Sequence, residues 1–232
     1  AIMTIGVSIF NVLNKEYGLN LNNSKYFAGH SLGEYTALVC AGSLSLEKAA
    51  YLLHERGKAM QDSISSTQGA MMAILGMQIE EVEKEIKIFS KDGVCEISND
   101  NSNQQVVVSG EKKIIEIFNE NLKRKKKKGI LLPVSAPFHC SLMKPAATKM
   151  KEKINSVDFK KPIIDVVCNV TSKPENNPEN LKKLLVEQIC STVRWRESVI
   201  NMSNQKVTNF IDLSYCFNFH KYCLFSRRYC HS

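Results

Sequence analysis

The sequence predicts an α/β protein in which a larger parallel-sheet domain carries a smaller inserted subdomain. Three observations predict it: a strand, a tight glycine-flanked turn and a helix follow one another early in the chain; strands and helices alternate between residues 70 and 134; and a helix, strand, helix order returns after residue 139. A length of 232 residues suffices for one sizeable core with an insertion. The expected boundaries are 1–68 and 132–232 for the larger domain and 69–131 for the smaller.

Ile2, Ile5, Ile9, Val12 and Leu13 recur at helical spacing and Gly18 follows as a stop, so a helix opens the chain. Lys25 to Ala28 is a short strand, and Gly29-His30-Ser31-Leu32-Gly33 turns it into a helix over Glu34 to Ala41. Ser45 caps the next helix, in which Leu46, Ala49, Ala50, Leu53, Gly57 and Met60 share one face. Arg56 leaves from the edge of that face and therefore needs an anionic partner.

Ala70 to Gly76 reads as a strand, Ile79 to Phe89 as an amphipathic helix and Val94 to Ile97 as a strand. Gln105 to Ser109, Lys112 to Leu122 and Ile130 to Val134 repeat the order strand, helix, strand, with Lys123 to Lys128 as a solvated basic turn. Two β-α-β units in tandem make this a ferredoxin-like subdomain. Beyond Pro137-Phe138-His139 come a helix over Leu142 to Ile154, a strand over Ile163 to Val167, a Pro- and Asn-rich loop over Lys173 to Asn180 and a helix over Leu181 to Cys190.

A hydrophobic share of 44% and a charged share of 23% are ordinary for a soluble globular chain, and no apolar run nears the roughly 20 residues of a membrane span. A net charge of +8 favours anionic partners without choosing among them, and no nucleic-acid-binding motif is present. Of eight cysteines, Cys40, Cys95, Cys140, Cys168 and Cys190 are scattered singly through apolar segments and read as reduced core thiols. Cys216, His220, Cys223, Cys230 and His231 fit no pair-and-pair ligand spacing, so no metal site is expected. The chain begins on a patterned apolar segment with no targeting signal, which places Ala1 inside a domain.

Gly29-x-Ser31-x-Gly33 between a strand and a helix is the nucleophile-elbow pattern, which makes the larger domain α/β-hydrolase-like; the sharp turn is expected to admit only hydrogen side chains beside the serine. Ser31 Oγ then sits near the positive end of the helix dipole, and the Leu32 N–H can point at an oxyanion. A serine needs a base within hydrogen-bond reach. Of five histidines, His54 lies toward the exposed side of its helix, His220 and His231 fall in the tail, and His30 adjoins Ser31 on a turn where neighbours point apart. His139, directly after a strand, is the better base.

Ala28-Gly-His-Ser-Leu-Gly-Glu-Tyr35 with Ala41-Gly42 resembles the nucleophile segment of malonyl-CoA:acyl carrier protein transacylases. Arg56-Gly-Lys-Ala-Met-Gln61, 25 residues after the serine, resembles that family's carboxylate-binding arginine segment, and Val134-Ser-Ala-Pro-Phe-His139 with Ser141-Leu-Met143 its histidine segment. Asn99-Asp-Asn101, Gln105 to Gly110, and Glu187-Gln188 through Val193 to Ser198 agree in order and spacing, so the resemblance runs over about residues 1 to 213. It implies ping-pong acyl transfer: Ser31 takes the malonyl group from coenzyme A, His139 removes its proton, Arg56 clamps the free carboxylate, and the thiol of an acyl carrier protein collects the product. A main-chain carbonyl at Gln188 would orient His139 in place of a triad acid, and His30, Asn99 and Asn101 would contact substrate. No metal or organic cofactor is implied beyond the coenzyme A thioester, and a monomer is expected.

Two departures follow from the same resemblance. The family places a strand and a Gly-x-Gly-x-Gln loop, which supplies half the oxyanion hole, before its first helix, and neither precedes Ala1. After Phe210 to Ser214 the Cys-rich run to Ser232 replaces a Gly-Pro-Gly-Lys loop and reads as a frame shift or retained intron. The Lys- and Asn-rich composition suggests a plastid-bearing protist and a plastid (apicoplast) location, with the mitochondrial matrix or a bacterial cytoplasm as alternatives. Hydrolysis by the same serine, or a non-catalytic carrier-binding module, are the competing functions; Lys123 to Lys128 would then suit an acidic carrier.

Overall fold

The computed structural model describes residues 1–64, 68–89 and 92–213. Helix α1 (Ile2–Lys15) opens the chain, but it buries Met3, Gly6, Val7 and Phe10 and leaves Ile2, Ile5 and Val12 exposed. Apolar residues cover most of its circumference, so periodicity fixes the helix and not the face it buries. The buried side is the one on which Phe10 meets Phe27 edge-on, ring centroids 5.6 Å apart.

Strand β1 (Phe27–Ala28) leads through the Gly29–Ser31 turn into α2 (Leu32–Cys40). Helix α3 (Leu46–Asp62) starts at Ser45, whose Oγ accepts the Lys48 N–H at 3.2 Å. Its buried stripe is Ala49, Leu52, Arg56, Ala59 and Met60, while Leu46, Ala50 and Gly57 are exposed. Arg56 thus lies within the buried face and not at its edge. Polar acceptors waiting on the opposite wall permit this, because a cation can be buried only where it is hydrogen-bonded.

The smaller unit runs β2 (Gly69–Leu75), α4 (Ile79–Phe89), β3 (Cys95–Ser102), β4 (Gln105–Glu111), α5 (Lys112–Arg124) and β5 (Lys128–Leu131). Its four strands pair antiparallel in the order β3-β4-β2-β5. Alternation along β2 sends Met72 and Ile74 to one face, where Val82, Ile86, Ile115 and Phe118 of α4 and α5 cover them. Met71 and Ala73 go to the other face with Val107, against Leu132 and Phe138.

Two boundaries differ from expectation. Strand β5 occupies 128–131 because Met72 pairs with Leu131, and Pro133, inside the expected strand, has no N–H to give to a ladder. Strand β3 continues past Ile97 through Ser98, Asn99, Asp100 and Asn101, which are poor strand formers. They are held from outside: Val193 pairs with Asn99, Thr192 Oγ1 donates to the Ile97 carbonyl at 2.6 Å, and Arg196 Nε donates to both Asp100 oxygens at 2.9 and 3.0 Å.

The larger unit resumes with α6 (Lys144–Asn155), β6 (Val166–Val167), β7 (Pro174–Glu175), α7 (Pro178–Gln188) and α8 (Trp195–Asn204). The expected parallel sheet is smaller and mixed: β1 pairs parallel with β6, and β6 antiparallel with β7. Residues 163–165 stay outside it, and the Ile163 N–H bonds the Ala41 carbonyl at 2.9 Å instead. Asn177 caps α7 by accepting the N–H groups of Glu179 and Asn180, so α7 begins before its apolar pattern does. Around this sheet Tyr35, Leu38, Leu52, Met143, Met150, Leu181 and Leu185 form the main core.

Cys95, Cys140 and Cys168 are buried, Cys40 and Cys190 half-buried, and all five are free thiols. Among the described residues no helix is long and apolar enough to cross a membrane.

Candidate active site

The turn after β1 places Ser31 at φ 52°, ψ −107°, a backbone conformation that an L-residue adopts only when its surroundings enforce it. The enforcing group is Asn169, delivered by the parallel pairing of β6 with β1. Its Oδ1 accepts the Ser31 N–H at 2.7 Å and its Nδ2 donates to the Gly29 carbonyl at 2.7 Å, so one amide grips both sides of the turn. A Cβ on Gly29 would lie 2.0 Å from the Gly33 carbonyl carbon and oxygen, whereas one on Gly33 would meet nothing within 4 Å. Only Gly29 is sterically required; the expectation that both glycines are is corrected.

Ser31 Oγ stands 2.8 Å from His139 Nε2. His139 Nδ1 stands 2.8 Å from the main-chain carbonyl of Gln188, which can only accept, so Nδ1 carries the proton and Nε2 is free to take one from Ser31. Burial, then the nearby Arg56 charge, push the His139 pKa down to about 3, against a partial rise from the Gln188 bond. The ring is therefore neutral and ready to accept at neutral pH.

Arg56 Nη2 donates to Ser31 Oγ at 3.0 Å and to Gln188 Oε1 at 3.1 Å, while its Nε is buried without a partner. Gln188 Nε2 donates to the Ser31 carbonyl at 3.2 Å and to Glu34 Oε2 at 2.8 Å, and Glu34 Oε2 also accepts the Asn169 N–H at 3.0 Å. Burial holds the Glu34 carboxyl above the usual carboxylate range, opposed by those donors and by the Arg56 charge. Glu34 and Asn169 were not anticipated as site residues. The available signal was a carboxylate one turn after Ser31, on a face of α2 that otherwise buries Tyr35 and Leu38, and an asparagine closing the strand beside β1.

Ser31, Arg56 and His139 line one cavity of about 230 Å³, walled also by Gly57, Met60, Gln61 and Phe138. Leu32 is the first residue of α2, so its N–H has no intrahelical acceptor and lies beside Ser31. His30, Asn99 and Asn101 do not line the cavity. His30 Nε2 meets Asn101 Oδ1 at 2.9 Å and its ring packs edge-on to Trp195, while Asn99 is buried with its Oδ1 accepting from Ser98 Oγ at 2.9 Å. All three stand where strand β3 meets the Ser31 turn, and Asn101 Nδ2 donates to Gln105 Oε1 at 3.1 Å.

A hydroxyl bonded to a neutral imidazole, with a guanidinium beside both, can accept an acyl group whose far end is anionic. Among the described residues no group of three or more His, Cys, Asp or Glu is arranged to hold a metal ion. Cys216, His220, Cys223, Cys230 and His231 lie outside the described residues.

The acyl transferase domain family matches residues 1–220. The chain is 37% identical over 215 residues to a malonyl CoA-acyl carrier protein transacylase of Bacillus subtilis, covering 92% of this chain and 67% of the relative. It is 36% identical over 214 residues to the Escherichia coli K12 protein of the same name, covering 92% and 68%. An acyl-carrier-protein S-malonyltransferase from Bartonella henselae superposes with a TM-score of 0.84 at 42% identity, over 88% of this chain and 66% of that one. A malonyl-transacylase solved in complex with a type II polyketide acyl-carrier protein gives 0.86 at 35% identity, over 91% and 68%. The chain thus spans about two thirds of the length of these relatives.

Proposed function

The chain belongs to the acyl transferase domain family, among the malonyl CoA-acyl carrier protein transacylases, and from that membership we propose that it moves a malonyl group from coenzyme A to Ser31 and from Ser31 to the phosphopantetheine thiol of an acyl carrier protein. The observation that carries the proposal is the convergence on one cavity of Ser31 with Arg56 and His139, which follow it by 25 and 108 residues in sequence.

Ser31 Oγ attacks the thioester carbonyl carbon as its proton passes to His139 Nε2, and the Leu32 N–H faces the oxygen that gains charge. The tetrahedral centre collapses by breaking the C–S bond; the departing sulfur takes the proton from His139, leaving a malonyl ester on Ser31. In the second half the carrier's thiol gives its proton to His139, attacks the ester carbonyl and expels Ser31 Oγ, which recovers the proton. Arg56 holds the free carboxylate throughout, which aligns the carbonyl with Ser31 and selects acyl groups with an anionic end. That carboxylate also offsets the Arg56 charge that helps depress His139, so substrate binding strengthens the base. The cycle uses no metal or organic cofactor, coenzyme A entering as substrate.

We further read residues 69–131 as a ferredoxin-like subdomain inserted into an α/β-hydrolase-like domain of residues 1–68 and 132–232. Support comes from the β-α-β-β-α-β order and from a separate apolar core beneath that sheet. One copy suffices for the chemistry, since the nucleophile, base and guanidinium come from a single chain.

Mass spectrometry after mixing with malonyl-CoA tests the proposal. A malonyl adduct on the Ser31 peptide is expected. Free malonate without an adduct would replace it with hydrolysis, and neither product would leave a carrier-binding module.

A further inference from the structure

Gly57 stands in the interior of α3, where glycine is among the poorest residues. The usual structural reasons for a glycine do not apply. Its φ is not in the left-handed region, and outside its own helix backbone an added Cβ would meet no atom of the described residues within 4 Å. Among the described residues, none needs the side chain at this position left out.

What Gly57 does border is the cavity at Ser31. On α3, Arg56 and Met60 are buried, while Gly57 is exposed and follows Arg56 directly. Gln61 lies one helical turn on from Gly57, and both line the cavity with Phe138 and His139. A side chain at 57 would take up space on the border of the cavity that Ser31 and Arg56 also line.

We propose that Gly57 is a specificity-determining residue, its bare main chain setting how bulky an acyl group reaches Ser31. The inference rests on the malonyl-transfer reading for the identity of that group. Access to Ser31 can be measured without it.

Wild type, Gly57→Ala and Gly57→Val are compared by intact mass for two pairs of reagents: malonyl-CoA against 2-methylmalonyl-CoA, and methanesulfonyl fluoride against phenylmethanesulfonyl fluoride, which label the serine directly. The bulky-to-small ratio should fall in Gly57→Ala, by up to about the tenfold that one methyl group can discriminate, and further in Gly57→Val, whose branched side chain is stiff. Gly57→Ala should also melt about 2–4 °C higher, from its gain in helix propensity. Unchanged ratios for both pairs in folded Gly57→Ala overturn the proposal, whether or not Gly57→Val folds. Labelling of wild type by the sulfonyl fluorides without loading by either thioester would overturn the malonyl reading, and the labelling ratio would still decide the role of Gly57.

Discussion

Replacing Arg56 by alanine should cost malonyl loading far more than acetyl loading. The guanidinium is buried in α3 and its Nη2 already contacts Ser31 Oγ at 3.0 Å and Gln188 Oε1 at 3.1 Å. A hydrogen bond to a charged group contributes about 1.5–3 kcal/mol, so two to a malonyl carboxylate contribute about 3–6 kcal/mol, or roughly 10²–10⁴ in rate. Because Nη2 must share its donors with Ser31 and Gln188, the lower half of that range, about 10²–10³, is expected. Acetyl-CoA brings no carboxylate to Arg56 and loses none of that recognition, so its loading should fall much less than malonyl loading does. Loss of the cation should also raise the His139 pKa, since Arg56 is the second cause of its depression, after burial. Single-turnover loading followed by rapid-quench mass spectrometry measures both rates. An equal loss with malonyl and acetyl groups would remove Arg56 from carboxylate recognition.

His139→Ala should reduce malonyl loading by about 100- to 10,000-fold, the range of a general base, and near-normal loading would reject His139. Between its ordinary 6.5 and the folded value of about 3, the unfolded chain binds a proton at His139 that the folded chain does not. The contribution of His139 to stability is therefore complete above pH 6.5 and shrinks as pH falls toward 3, by up to about 1.4 kcal/mol per pH unit. Denaturant midpoints of wild type and His139→Gln should converge or cross as pH is lowered, and parallel curves would contradict the shift. Gly29→Ala puts a methyl 2.0 Å from main-chain atoms of Gly33 that cannot move aside, so a loss above about 4 kcal/mol is expected, while Gly33→Ala should fold normally; equal melting temperatures would contradict this. Asn169→Ala frees the strained Ser31 turn and leaves buried groups unpaired, so loading should fall with the melting temperature, and a wild-type rate of loading would show that Asn169 does not hold the nucleophile.

Local chemistry made much of this protein legible in advance. Ser45 announced α3, the alternating runs announced the four-stranded unit, and Gly29, Ser31 and Arg56 stand in short motifs with a physical reason for each residue. Faces were harder to read than elements. In α1 the apolar residues ring the helix, and in α3 a charged side chain sits in the buried stripe, so periodicity pointed to Gly57 and Leu46 where the fold buries Leu52 and Arg56. The polar network under the elbow was not legible, because its members are brought together only by tertiary pairing. Asn169 reaches Ser31 across 138 residues, and the Gln188 side chain reaches Glu34 across 154. The extension of β3 through Asn99 and Asp100 likewise depends on Val193 and Arg196, which no window around residue 99 contains.

Transfer from isolated acyl-enzyme tests the central claim most directly. Protein loaded with malonyl-CoA, freed of excess donor and mixed with a carrier protein bearing phosphopantetheine, should lose its malonyl group from the Ser31 peptide as the carrier gains it. A malonyl group found on another residue, or released to water while the carrier stays unmodified, would contradict the account.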